Sequence, residues 1–512
     1  MTTFPDRTRP APPQAFPQQF TPRLAVELAV GADRHAPLPL TGQIAAQLRE
    51  ALADGRLAAG ERLPSSRALA AALGVSRTVV TAAYTQLFAE GWLEGRHGSG
   101  TYVAPGTAGP LAGGAAPVLG AAGPGSGPPM ALPPGPGRRP VPSRAAPPQP
   151  AGRAAVNLRP GMPWAAGIDP AAWRRAWRHA GSEPVPAQPD PRGRGALREA
   201  LTGYLRRSRG VCAPADQILV TRGVSAGLGL VASALLRPGD RVGVEEPGYQ
   251  AARAVFASRG ARVVPCRVDR DGLVVEELPA GLRLVYTTPA HQYPLGGRLP
   301  VPRRQALAAW ARATGALIVE DDYDGEFRYD VAPLPTLFGL DPDAVIYLGT
   351  TSKTLTPALG AGWLVARRDL IPVLTEAAAD LGERVSGPVQ HAVTELLASG
   401  ELERHVRRMR HEYARRRAVL VAALGSRLTG DTAGMHMVLE LPPGTAAALV
   451  AAARERGVEV ATLDRYFAGP PAREGLVLGY GAADLAAVSR GGKVIAEIVA
   501  ALPGARGAGV PR

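Results

Sequence analysis

The sequence predicts a multidomain chain of 512 residues: an N-terminal α+β winged helix-turn-helix head, a Pro/Gly-rich linker and a larger C-terminal α/β domain. Three observations carry that expectation. Short helical periods joined by a tight turn, then two strands around a glycine turn, span residues 37–104. A stretch of Pro, Gly and Ala follows, with almost nothing able to form a core. Beyond it, apolar strand-like runs alternate with helical ones. The length itself suggests two to four domains.

Bulk properties narrow the class. No apolar run approaches the roughly 18 residues that cross a bilayer, and the Pro-rich N-terminus lacks the apolar core of a signal peptide, so the expected location is cytoplasmic. Cys212 and Cys266 lie far apart and outside any C-x-x-C spacing, which argues against a disulfide scaffold and a structural zinc site; no metal is expected. The net charge of +14 suits a polyanionic partner, but only its location identifies one.

Residues 1–36 read as a disordered arm and 37–104 as the head. Ile44, Leu48 and Leu52 share one helical face. A second helix runs from Ser66 to Gly74, and a third follows the N-cap candidate Ser76. Two short helices around Leu73-Gly74-Val75 form a helix-turn-helix pattern, and Trp92–Val103 supplies a wing. Such a module puts the start of its second helix in the major groove, where Arg77, between Ser76 and Thr78, suits base readout. Arg67, Arg96 and His97 are placed to reach phosphates. A helical protein-binding domain with ordinary surface arginines is the competing reading. Residues 105–153 read as a flexible linker; about 49 residues of coil reach roughly 40 Å. From 154 to 505, apolar runs at 217–220, 241–244, 282–286, 317–319 and 345–348 predict the strands of a doubly wound sheet. The helical stretch Glu401–Leu424 suggests an appended lobe, and 506–512 reads as a disordered tail. The arginine-rich part of that stretch, ending at Arg415-Arg416-Arg417, reads as a solvated face, with DNA phosphates as the alternative.

The chemistry is signalled by an amine. Of 58 Lys+Arg residues only two are lysine, Lys353 and Lys493. A lysine can shed its proton and form a Schiff base with an aldehyde, which a guanidinium cannot. Lys493 reads as a surface residue; Lys353 lies in Gly349-Thr350-Thr351-Ser352-Lys353-Thr354. An aldehyde cofactor such as pyridoxal phosphate also needs an acid at its ring nitrogen, a donor at its phenolate, a stacking ring and an anion site. Asp321 and Tyr323 after one strand, Tyr249 after another, and the strand-to-helix turn Thr221–Ala226 with Ser225 offer each of these. Thr350 and Ser352 add hydroxyls.

Residues 40–103, with their LPSSR, LGVSR and glycine-rich wing motifs, resemble the winged helix of the GntR family. The resemblance implies DNA contacts at Arg67, Ser76, Arg77, Thr78, His97 and Gly98. The runs PRGRGALREALTGYLRRSRGV, EEPGY, TTPAHQYPLGG, VEDDYDGEF and YLGTTSKTL resemble class I aminotransferases of pyridoxal phosphate fold type I, and imply an aminotransferase-like domain that adds Gln292 to the cofactor contacts. Together the halves resemble the MocR subfamily of transcription regulators, in which the aminotransferase-like domain is an effector sensor and the chain a homodimer.

Two positions depart from that pattern. Gly360 stands seven residues after Lys353, where the family commonly has a phosphate-gripping arginine; Arg222 and Arg367 are the possible substitutes. Val477 stands where amino-acid aminotransferases bind the substrate carboxylate. The expected function is therefore a DNA-binding regulator sensing pyridoxal phosphate or an amine through Lys353, with vitamin B6 synthesis as the first pathway to test. The alternatives are an active aminotransferase with an accessory DNA head, and a DNA-bound scaffold without cofactor.

Overall fold

The computed structural model describes residues 30–104 and 156–501, apart from 35, 37, 54, 55, 97–99, 185, 186 and 331–333. The linker and tail expectations lie outside the described residues, as do most of the N-terminal arm, His97, Gly98 and the side chain of Arg96. The chain divides into two compact units, 1–111 and 112–512.

Gln47 exchanges two 2.8 Å bonds with the backbone of Gly31, and Gln43 bonds both N–H and C=O of Asp33, so the residues just before the first helix are tied to it. Helix α1 (Leu40–Ala53) buries Ile44, Leu48 and Leu52 completely. Helix α2 (Ser66–Leu73) is capped by the Ser65 hydroxyl and ends at Gly74, whose φ of 62° suits glycine. Helix α3 (Arg77–Ala89) starts from the expected cap, Ser76, which accepts from the Val79 N–H. The carboxylate of Glu90, fully buried beyond α3, takes both nitrogens of Arg49 on α1 and the Gln86 amide, so the helices are held by a bidentate charge-assisted contact as well as by Val80 and Leu87. Strands β1 (Leu93–Arg96) and β2 (Gly100–Val103) pair antiparallel as the wing, and Arg62 bridges to Tyr102 beside them.

The second unit is built on an eight-stranded sheet. In spatial order its strands are Ile218–Thr221, Gly362–Val365, Val345–Thr350, Leu317–Asp321, Leu284–Thr287, Arg241–Glu246, Arg262–Asp269 and Gly272–Leu273. Gly362–Val365 runs antiparallel to both neighbours; the five strands following it in this order are mutually parallel. Side chains alternate between two helical layers. Val345 and Tyr347 enter one core, whereas Ile346 and Leu348 enter the other, and Ile218 and Leu219 divide the same way. Burial on both faces makes these strands continuous apolar runs. The appended lobe carries a four-stranded antiparallel sheet, whose central strands are His436–Leu441 and Glu474–Gly479, besides the expected helix Glu401–Leu424. The entering segment Val156–Asn157 pairs with Val458–Glu459 of this unit.

The arginine-rich part of that helix departs from a solvated face. Arg416 is fully buried, with its guanidinium 4.0 Å from the Trp164 ring centre and bonded to the Gly481 carbonyl. Arg417 donates to Asp431 O and Arg410 to Glu326 O, while Arg415 remains exposed against Glu412. These cations fasten the helix to its neighbours.

Beneath the sheet edge, Arg209 and Asp322 form a buried bidentate pair at 2.5 and 2.9 Å. Arg209 also donates to Gly325 O, and Tyr347 donates to Asp322. A Cβ on Gly325 would lie 2.1 Å from Asp322 Oδ1, so only glycine admits the pair. Arg209→Met is expected to cost about 3–5 kcal/mol, because it strands a buried carboxylate, and Arg209→Met with Asp322→Leu to recover most of that. Urea midpoints of the three proteins check it; equal losses in single and double variants would refute it.

Candidate functional site

Parallel strands put their carboxyl ends at one edge, and the loops there converge. Thr221 leads to Arg222–Ser225, Glu246 to Tyr249, Thr287 to Thr288, Asp321 to Tyr323 and Asp324, and Thr350 to Ser352 and Lys353. These residues line a cavity of about 250 Å³, closed by Gly161, Met435 and His436. Seven of the expected cofactor residues are thus brought together: Lys353, Asp321, Tyr323, Tyr249, Ser225, Thr350 and Ser352.

Lys353 Nζ donates to the Gly161 carbonyl at 2.5 Å. Burial pushes its pKa below the usual lysine range, and the carboxylates of Asp324 and Asp321 only partly oppose that. Asp321 is almost fully buried. Its Oδ2 accepts from Tyr286 at 2.6 Å, while Oδ1 has no partner. Burial pushes this carboxyl up to about 7, against the Tyr286 bond. A buried acceptor without a donor, facing an amine of lowered pKa across one cavity, fits a protonated pyridine ring carrying an aldehyde. At another wall, the helix Val224–Leu235 starts at Gly223 with no side-chain cap, so its first amides are free. Ser225 is exposed beside them, and Thr350 donates to Ser352 at 2.9 Å. That end suits a phosphate, and the residues present therefore fit pyridoxal phosphate.

Three expectations change, and a fourth position gains a physical reason. Gln292 is fully buried and does not line the cavity. Its amide donates to Glu245, Pro247 O and Tyr293 O and accepts from Leu295 N–H, so it braces the two loops carrying Tyr249 and Tyr293. Arg367 lies past the far end of the antiparallel strand Gly362–Val365, ion-paired with Asp369 and donating to Asp343 O, and cannot replace the missing arginine. Gly360 has φ +53° with open space around it, a left-handed position that disfavours arginine. Tyr323 lines the cavity, but its hydroxyl donates to His291 O at 2.9 Å and sits 3.1 Å from His291 Nδ1, so it must exchange that bond to serve a ligand phenolate.

His291, Asp324 and His436 escaped the sequence reading. All three are buried, with side-chain donor atoms within 4.8 Å of one another. His291 Nδ1 meets Asp324 Oδ2 at 3.0 Å, and burial keeps His436 neutral by lowering its pKa well below the usual value. His291 lies in the same HQYP run as Gln292, so the signal was present but the neighbouring residue was chosen. Val477 is fully buried in an apolar cluster with Val438, Leu463 and Tyr466, away from the cavity wall.

In the head, Arg67, Ser76, Arg77 and Thr78 are all exposed, the last three at the start of α3, with Arg77 Nε 3.4 Å from Ser66 Oγ. Arg62, exposed beside the wing, is a further cation not singled out by the sequence motifs.

A winged-helix head and an aminotransferase-fold unit with an amine-bearing cavity define a DNA-binding regulator with an aminotransferase-like domain. Residues 40–103 match the model of bacterial regulatory proteins of the gntR family, and residues 162–471 that of aminotransferase class I and II. The chain is 37% identical over 465 residues to the HTH-type pyridoxine biosynthesis transcriptional regulator PdxR of Corynebacterium glutamicum, covering 90% of this chain and 96% of that one. It is 36% identical to the probable rhizopine catabolism regulatory protein MocR of Rhizobium meliloti, covering 88% and 92%. Among solved structures, an archaeal alanine:glyoxylate aminotransferase superposes with a TM-score of 0.64 at 26% identity, covering 68% of this chain and 91% of that one. The chain belongs to the GntR/MocR-type transcriptional regulators. No helix among its described residues is long and apolar enough to cross a membrane.

The raised pKa of Asp321 has a signed consequence. Between pH of about 4, where the unfolded carboxyl titrates, and about 7, the unfolded chain has lost this proton while the folded one keeps it. This contribution therefore makes ligand-free stability fall as pH rises through that window. Glu320 and Glu326, also pushed up to about 7 by burial, act in the same sense. Asp321→Asn is expected to flatten the slope of stability against pH relative to wild type; parallel slopes would show that the carboxyl is ionised in the fold.

Proposed function

We propose that this chain is a cytoplasmic, homodimeric regulator whose effector is pyridoxal phosphate held at Lys353, and that it controls pyridoxine synthesis. The observation that carries this reading is the asymmetry of the cavity. It keeps an amine and an unpaired buried acid, while Val477 lies in an apolar cluster off the cavity wall and offers no cation to a substrate carboxylate. The name of the Corynebacterium relative supports the pathway.

Bound pyridoxal phosphate supplies an aldehyde that reacts reversibly with primary amines. The chain's residues do the rest. Burial makes Lys353 Nζ easier to deprotonate, Asp321 Oδ1 would accept from the ring nitrogen, and the first amides of the helix Val224–Leu235 with Ser225, Thr350 and Ser352 would hold the phosphate. Tyr249, edge-on to Tyr293 at 6.0 Å between centres, supplies an aromatic wall. In the head, Arg77 reads a base edge while Arg67 and the wing hold phosphates, so specificity and salt dependence come from different residues.

Adding pyridoxal phosphate to the protein on its own promoter fragment is expected to shift operator affinity, and to leave Lys353→Ala unresponsive though still bound to DNA. Equal responses of wild type and Lys353→Ala would sink the reading. Arg77→Ala is expected to lose about 1–3 kcal/mol of specific binding with its binding of non-operator DNA little changed. An anisotropy titration on operator and scrambled DNA separates these; a uniform loss on both would make Arg77 a phosphate contact.

The second reading, an active aminotransferase, is favoured by the retained Lys353 and Asp321 and by the fold neighbours. Incubation of the cofactor-loaded protein with a panel of amino acids is expected to yield no keto acid; turnover of any of them would establish the enzyme.

A further inference from the structure

The phosphate end of the cavity is short of charge. Gly360 contributes no cation, and among the described residues Arg222 is the one guanidinium lining the cavity. It does not point there freely. Arg222 Nε and Nη2 hold Glu383 at 2.6 and 2.5 Å in a bidentate pair. The two side chains are 54% and 19% exposed, so the arginine has room to turn, whereas the carboxylate is more enclosed. Glu383 belongs to the turn between the helices Leu370–Asp380 and Gly387–Ala398. With Ser225 it also lines a neighbouring pocket of about 120 Å³, so Ser225 borders both cavities.

We propose that Arg222 is the cation that recognises the phosphomonoester of the ligand, and that Glu383 competes with that phosphate for it. A phosphate dianion and a carboxylate are alternative bidentate partners of one guanidinium. Ligand affinity is therefore set by a contest: the dianion gains Arg222 only by displacing Glu383, and the displaced carboxylate loosens the turn 381–386. The arrangement rewards the phosphorylated ligand alone, since an unphosphorylated pyridoxal reaches Lys353 and Asp321 without disturbing the pair. This inference rests on the cavity being a pyridoxal phosphate site.

The test compares binding of pyridoxal phosphate and of pyridoxal to the full-length protein, read from cofactor absorbance, for wild type, Glu383→Gln, Arg222→Gln and the double variant. Glu383→Gln is expected to tighten pyridoxal phosphate about tenfold. Arg222→Gln is expected to weaken it about tenfold to hundredfold, with pyridoxal unchanged in both. Without Arg222 the Glu383 substitution is expected to have no effect. Hydrogen exchange of 381–386 should rise with pyridoxal phosphate and not with pyridoxal. The proposal is overturned if Glu383→Gln leaves the preference for the phosphorylated form unchanged, or if its effect persists without Arg222. Thermal melts identify any variant that has lost its fold, and Arg222→Lys, expected to restore part of the preference, then stands in for Arg222→Gln. If wild type binds neither ligand, the cofactor reading itself fails and this inference with it; binding with an unaltered preference defeats this inference alone.

Discussion

The buried pair of Arg209 and Asp322 is the constraint around which the site is organised. It sits under the turn that follows the strand Leu317–Asp321 and takes a third bond from Arg209 to Gly325 O, so the backbone from 322 to 325 is fixed from below. Both charges are fully desolvated, which makes them costly unless paired in good geometry. The geometry is good, and Tyr347 from the next strand supplies a further donor to the carboxylate. With that turn held, Tyr323 and Asp324 have little choice but to face the cavity.

The acidic run around this turn looks redundant as text but is divided by strand alternation. Glu320 turns away from the cavity to accept the N–H groups of Leu337 and Phe338, starting a short helix there. Asp321 faces the cavity, Asp322 meets Arg209, Asp324 meets His291, and Glu326 accepts from Tyr204. Five acids thus have different partners, and two of them, Asp321 and Asp324, each keep one buried oxygen unengaged while lining the space beside Lys353, their other oxygens being held by Tyr286 and His291. Period-two geometry at the strand end therefore separates Asp321, which faces the cavity, from Glu320, which holds the wall.

How legible this was depends on how local each cause is. The head was readable because its caps, its turn glycine and its apolar face are properties of adjacent residues: Ser76, Gly74 and the Ile44, Leu48, Leu52 stripe lie as expected. The doubly buried strands were readable for the same reason. Arg262–Asp269 was not, because near the sheet edge it is half exposed and carries arginines and Pro265; nor was Gly362–Val365, though it is fully buried and as long as Ile218–Thr221. Within the site, residues placed by strand ends were found from sequence, including Lys353, Asp321 and Tyr249. Those placed by long-range packing were not. Gln292 sits one residue from His291, yet one braces loops and the other meets Asp324, a difference decided by hydrogen bonds to Glu245 and Pro247 from a separate strand. The same holds for Arg416, whose burial against Trp164 no count of charges along its helix reveals.

The bond from Lys353 to the Gly161 carbonyl places the amine on the path of the incoming chain. Gly161 lies five positions after Val156, at most about 18 Å of extended backbone. Between them Val156 and Asn157 are stitched to the appended lobe, and just beyond, the Trp164 N–H is held by the Tyr413 hydroxyl. Anything that claims the amine also takes a donor from that carbonyl. The reactive nitrogen thus doubles as a mooring for the first described segment of its own unit, the one stitched to the appended lobe.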